Sequence, residues 1–180
     1  MSKNHTSVKI RDLALGGILT ALVFIGTYFI QIRLPISVNG GLVHLGNVVL
    51  FTAAILYGPR QGAVAGAFGM GLFDILSGWM AWAPFTFLIR GGMGYIIGRV
   101  SHGGGREGKS LLWNFLGILG GTALMIPGYY VAEGLLYGNW LAPATSIPGN
   151  LTQLAFGLTS LALVPVLERA GVQSLGRRIA

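Results

Sequence analysis

The chain has 180 residues, of which 53% are hydrophobic and only 9% charged, against about 25% charged residues in ordinary soluble domains. Twelve Lys and Arg with five Asp and Glu are too few to cover a soluble core, so the composition is that of a membrane protein. With no cysteine there is no disulfide framework, thiolate nucleophile or cysteine metal site, and a net charge of +7 spread along the chain lacks the clustered basic face that nucleic acid requires.

Residues 13–32 carry no charge and are long enough for a helix crossing the ~30 Å hydrocarbon layer. The basic residues before them resemble a signal-peptide start, but the apolar run is too long and no clear cleavage site follows, so the segment is read as a retained first span. After the loop QIRLPISVNGG a second apolar segment covers residues 42–57, with His44 and Asn47 at its opening. The third, 62–79, has Asp74 one turn before its outer end, and Trp79 and Trp82 follow in the connection. The fourth, 83–100, has Arg90 about two turns below its outer start. The fifth, 111–137, is longer than a straight crossing needs; it contains Pro127-Gly128, which predicts a kink or tilt, and carries Tyr129 and Glu133 in its outer half. The sixth, 151–167, is opened by Asn150 and Gln153, whose i, i+3 spacing places them on one face. The expected fold is all-α: a single membrane domain over residues 1–180, with six transmembrane helices.

The Lys and Arg residues orient it. With a cytoplasmic N-terminus, inside segments hold Lys3, Lys9, Arg11, Arg60, Arg99, Arg106, Lys109, Arg169, Arg177 and Arg178, leaving only Arg33 outside and Arg90 within a span. This is the asymmetry of the positive-inside rule and puts both termini in the cytoplasm, in a multi-pass topology.

The stretch HGGGREGKS between the fourth and fifth spans satisfies the P-loop pattern G-x-x-x-x-G-K-[ST] over residues 103–110. A working P-loop joins a buried strand to a helix N-terminus, whereas the neighbours here are bilayer helices. The match is therefore read as accidental, and the loop as a connector whose Arg106 and Lys109 face anionic headgroups.

Ionisable residues inside a bilayer are functional candidates by default. Asp74, Arg90, Glu133, His44, Asn47, Asn150, Gln153, Tyr129, Trp79 and Trp82 all fall at the outer side, while the inner halves are mainly aliphatic and glycine. The pattern describes a cup open to the outside and closed below by apolar packing, suited to a small, polar, partly aromatic solute. Asp74 and Arg90 could alternatively be a structural pair, the tryptophans interfacial anchors, and His44 with Asn47 links between helices. No catalytic triad, metal cluster or cofactor motif is present. The glycines fall into small-xxx-small patterns, including Gly62 with Gly66 and Gly94 with Gly98, which favour close helix packing. Gly17 with Ala21 on the first span has the same form; it reads as internal packing, with a helix of another protein as the alternative.

The segments RDLALGGILTAL, LVHLGNVVLFTAAILYGPRQGAVAGAFGMGLFDILSG, WAPFTFLIRGGMGYIIGRVS and NLTQLAFGL together resemble the substrate-binding S component of an energy-coupling factor (ECF) vitamin transporter, over nearly the whole chain. The resemblance implies a six-helix membrane protein that captures a vitamin or precursor from outside, topples within the membrane to deliver it, and has no ATPase of its own. Its partners would be a transmembrane coupling protein and two cytoplasmic ATPase subunits. It also implies that Gly17 and Ala21 meet the coupling protein, although the family pattern usually has alanine at both, and that the loop containing Asn39 helps cover the ligand. The inferred lining fits a pyridine or pyrimidine, such as a vitamin B6 compound (pyridoxine) or hydroxymethylpyrimidine, before pantothenate or riboflavin; Arg90 and His44 would suit the carboxylate of pantothenate. The alternative is a stand-alone secondary transporter driven by protons through Asp74 or Glu133.

Overall fold

A computed structural model describes residues 3–34 and 41–173. Asn39 lies outside the described residues. The chain begins with a long helix α1 (Lys3–Phe29), followed by strands β1 (Gln31–Leu34) and β2 (Gly41–His44) and then helix α2 (Gly46–Tyr57). The strands pair antiparallel, Gln31 opposite His44 and Leu34 opposite Gly41. The expectation of helix from residue 42 is thus corrected: residues 41–44 are strand, and His44 and Asn47 belong to different elements. Val43 is β-branched and its backbone is satisfied by the partner strand, so the apolar run that reads as helix serves as an edge ribbon.

Helix α2 stops at Gly58, whose φ of +85° ends the helical path, and Pro59 starts α3 (Pro59–Leu76) from the first-turn position where its missing N–H costs nothing. Helix α4 (Ala83–His102) also has a proline in its first turn. Helix α5 (Leu111–Tyr137) runs unbroken through Pro127 and ends at Gly138 in the left-handed conformation. A 3-10 turn over Ala142–Ser146 leads into α6 (Ile147–Gly157) and α7 (Ser160–Arg169). The predicted sixth helix is therefore two helices, interrupted at residues 158–159. Three helical segments are long and apolar enough to cross a bilayer by length and composition: Ile10–Phe29, Leu111–Tyr137 and Ala142–Arg169. Helix α2 is apolar but has only 12 residues, about 18 Å at 1.5 Å per residue.

Helix α2 is enclosed on nearly every side, and its Leu50, Phe51 and Ile55 form the centre of the core with Met70, Met93, Ile97, Ile118 and Met125. The closest approach is between α3 and α4. A Cβ at Gly62 would stand 2.6 Å from the Gly94 carbonyl oxygen, and one at Gly94 would overlap the Gly62 backbone. Glycine on both sides lets the two backbones touch, as small-residue interfaces in lipid do. The outward surface is apolar, with Leu13, Ile18, Leu22 and Ile25 exposed on α1 and Leu111 and Leu112 on α5.

Gly17 and Ala21 lie on that outward face, which corrects the reading of internal packing. A Cβ at Gly17 would meet nothing within 4 Å, whereas its neighbour Gly16 packs on Gln61 and Val64 of α3. The helical offset between adjacent residues separates the two faces: Leu15, Leu19 and Val23 turn inward with Gly16.

Candidate functional site: a polar cavity at one end of the bundle

A cavity of about 110 Å³ opens where β2, the N-terminal turns of α4 and α6 and the C-terminal turns of α1, α3 and α5 converge. Its polar lining comes from His44, Asp74, Arg90, Glu133, Asn150 and Gln153, and its aromatic lining from Trp79, Trp82 and Tyr129. The structure thus brings together nine of the residues singled out in the sequence; a tenth, Asn47, lies directly beneath.

Arg90 anchors the floor. It is only 3% exposed, so its guanidinium needs acceptors for its N–H groups. They are neutral. Arg90 Nη1 donates to Asn47 Oδ1 at 2.8 Å, Nη2 to Gln153 Oε1 at 2.9 Å and Nε to the Tyr129 hydroxyl at 3.0 Å. The Met125 sulfur, 3.1 Å from Nη1, closes the apolar side. The guanidinium also lies 5.0 Å from the centre of the Tyr129 ring, within cation–π range. No ion pair joins Arg90 to Asp74 among the described residues, so the structural pairing allowed by the sequence is not made.

Asn47 is fully buried behind the lining residues, where it supports Arg90. It also donates from Nδ2 to Gln153 Oε1 at 2.8 Å, so that oxygen serves both Arg90 and Asn47. Gln153 in turn donates from Nε2 to the Leu42 carbonyl oxygen, tying β2 to α6. A chain of side-chain hydrogen bonds therefore runs from the buried arginine to the strand that borders the opening.

Asp74 hydrogen-bonds the Thr86 hydroxyl, which also receives a bond from the Tyr129 hydroxyl at 3.2 Å. Glu133, buried in α5, accepts from the Ser146 hydroxyl at 2.8 Å. Trp82 stands 6.1 Å, ring centre to ring centre, from both Tyr129 and Tyr137, forming an aromatic rim.

Sequence reasoning missed Thr27, Thr86 and Ser146 as lining residues, along with the apolar Leu42, Met70 and Phe73. Thr86 precedes Arg90 by four residues on α4 and so shares its face, a signal that was available. Thr27 and Ser146 carried no such signal, because hydroxyls in apolar helices commonly bond to their own backbone, as Thr27 does to the Val23 carbonyl. No group of three or more metal-ligating side chains is found among the described residues.

The HGGGREGKS stretch lies at the other end of the bundle, between α4 and α5, and no strand leads into it. Lys109 pairs with Glu107 at 3.0 Å and Arg106 stacks on the Trp113 ring at 3.8 Å. Gly108 is pressed against the Ile55 carbonyl, and Asn114 bonds the Gly108 carbonyl oxygen, so the loop's groups are used within the protein.

The sequence profile of the family described as "ECF-type riboflavin transporter, S component" matches residues 7–168. A thiamine precursor transporter, HmpT, of Lactococcus lactis subsp. cremoris (strain MG1363) is 30% identical over 164 residues, covering 91% of each chain. An uncharacterized protein in the gap 3'region of Pyrococcus woesei is 36% identical over 107 residues, covering 59% of this chain and 69% of that one.

Proposed function

The chain belongs to the ECF-type riboflavin transporter S component family, and from that membership we propose that it captures a single-ring heteroaromatic vitamin precursor at the outer face of the bacterial plasma membrane. The observation that carries this reading is the cavity at one end of the bundle, with its aromatic rim and its floor of Arg90, Asn47 and Gln153. In this reading the cavity end is extracellular, six spans cross the bilayer and both termini are cytoplasmic, in keeping with the positive-inside distribution.

A water molecule needs roughly 10–15 Å³ of such space, so a cavity of about 110 Å³ accommodates one substituted ring. Among single rings, the relative named as a thiamine precursor transporter favours the pyrimidine half of thiamine, such as hydroxymethylpyrimidine, over pyridoxine. Arg90 already donates to Asn47, Gln153 and Tyr129, which leaves it few N–H groups for the carboxylate of pantothenate.

S components of ECF transporters work with a transmembrane coupling subunit and ATPase subunits. The exposed face at Gly17 and Ala21, smooth enough for another helix to lie against, is the proposed contact for the coupling subunit. ATP hydrolysis then belongs to the partners, and the stretch 103–110 has no nucleotide role.

The test is uptake of radiolabelled hydroxymethylpyrimidine into proteoliposomes. Uptake is expected only when the coupling and ATPase subunits are present with ATP inside. Uptake by this chain alone, collapsing with the proton gradient, would instead establish the secondary-transporter alternative and locate the proton pathway at Asp74 or Glu133.

A further inference from the structure

Arg90 dominates the floor of the cavity, but its nitrogens are spent on Asn47, Gln153 and Tyr129, leaving little of its donor capacity for a ligand. The unspent polar atoms around the cavity are of a different kind. Asp74 is 9% exposed, and its Oδ2 is buried with no hydrogen-bond partner among the described residues, although its side chain is engaged by Thr86. His44 Nδ1 is buried and similarly unpartnered among the described residues. Both side chains line the same cavity. Buried polar atoms are almost always bonded in a working state, so an orphaned carboxylate oxygen beside a binding cavity marks a place where a donor belongs.

The donor can be characterised further. A carboxylate oxygen accepts only, and an imidazole nitrogen accepts when the proton is on the other ring nitrogen. A hydroxyl carries one O–H donor, whereas a ring amino group carries two N–H donors. An anionic substituent at this position would lie against the Asp74 carboxylate and would offer it no donor. An amino substituent on an aromatic ring supplies a donor to Asp74 Oδ2 and carries no negative charge, and the ring itself fits against Trp82 and Tyr129.

We propose that Asp74 is the specificity-determining residue of the cavity, accepting through Oδ2 a hydrogen bond from an amino group carried on the ligand's ring. The site therefore selects amino-substituted single-ring heterocycles over otherwise identical rings that lack the amino group. This rests on the capture reading above, and assigns within it the atom that discriminates.

The experiment measures equilibrium binding of two compounds to the detergent-purified full chain. One is the hydroxymethyl aminopyrimidine half of thiamine; the other is the same compound with hydrogen in place of the amino group. Wild type is expected to prefer the first by about 10- to 100-fold, the range for a hydrogen bond to a charged group. Asp74→Asn is expected to lose most of that preference by weakening the amino compound while leaving the other nearly unchanged, and this second affinity shows that the variant is folded. Asp74→Glu, which keeps the carboxylate, should retain part of the preference. If the wild type binds the amino compound and Asp74→Asn weakens both compounds equally, or neither, the assignment to Asp74 is overturned while capture stands. If neither compound binds the wild type, the ligand class proposed for the cavity fails and this assignment fails with it.

Discussion

Arg90 on α4 and Gln153 on α6 meet at 2.9 Å through a side-chain oxygen that also accepts from Asn47 on α2. A permanent charge is thereby held in the interior by neutral acceptors drawn from three helices, and Gln153 passes the constraint on to β2 through the Leu42 carbonyl. Burying a guanidinium is costly unless its donors are matched, so this arrangement orders the cavity floor before any ligand arrives.

Arg90→Ala should strip Asn47 Oδ1 and the Tyr129 hydroxyl of a donor and leave a space beneath the cavity. The expected cost is about 2–3 kcal/mol, read as a lower midpoint of thermal unfolding in detergent, together with loss of ligand binding. Arg90→Lys should recover only a minor part of either, because a compact ammonium cannot span acceptors on α2, α5 and α6 at once.

Gln153→Ala is expected to act on folding and on release alike, because it removes the acceptor shared by buried Arg90 and Asn47 as well as the tie to β2. Without the bond to the Leu42 carbonyl, β2 is no longer tied to α6, and ligand should leave up to about tenfold faster, the order expected from losing one neutral hydrogen bond. Stopped-flow tryptophan fluorescence can follow this, since Trp79 and Trp82 line the cavity. An unchanged dissociation rate would show that the tie does not govern the opening.

Two glycines, one on α4 and one on α1, should respond differently. Gly94→Ala places a Cβ into the Gly62 backbone and forces α3 from α4; overpacking of this kind costs about 1–3 kcal/mol or more, which circular dichroism thermal melts would register. Gly17→Ala adds a methyl group into open space and should change stability by no more than about 0.5 kcal/mol. Bulky replacement at the outer face, Gly17→Trp with Ala21→Trp, should leave ligand affinity intact yet abolish ATP-dependent uptake with the partner subunits.

Lys109→Ala should leave both binding and ATP-dependent uptake within about twofold of wild type, because the exposed Lys109–Glu107 pair contributes little. A loss of uptake accompanied by ATP hydrolysis in the purified wild-type chain would restore the nucleotide reading of residues 103–110.

The sequence was informative where a single physical rule decides the outcome. Apolar runs marked most of the helices, and the confinement of Asp74, Arg90, Glu133 and Gln153 to one side of the spans pointed to a common cavity that their positions at one end of the bundle now form. It was less informative where tertiary pairing overrides local preference. Residues 42–44 continue an apolar run into α2, and only pairing with residues 31–33 makes them strand. The break at residues 158–159 lies in an apolar stretch without glycine or proline at the break itself. The partners of Arg90 were also hidden: Asp74 is the obvious counter-charge by position, whereas Asn47 and Gln153 are 43 and 63 residues away in sequence and reach the guanidinium only through packing. On α1, the one-residue distinction between inward Gly16 and outward Gly17 depended on where α3 lies.

Capture as proposed requires that this chain hold a small heteroaromatic ligand by itself, with no ATP and no partner. Native mass spectrometry of the detergent-purified protein, as isolated and after addition of hydroxymethylpyrimidine, checks this without any transport step. One ligand per chain is expected, absent from Arg90→Ala and retained by Gly17→Ala. A protein that stays bare with hydroxymethylpyrimidine, and with pyridoxine, pantothenate and riboflavin in turn, would contradict it.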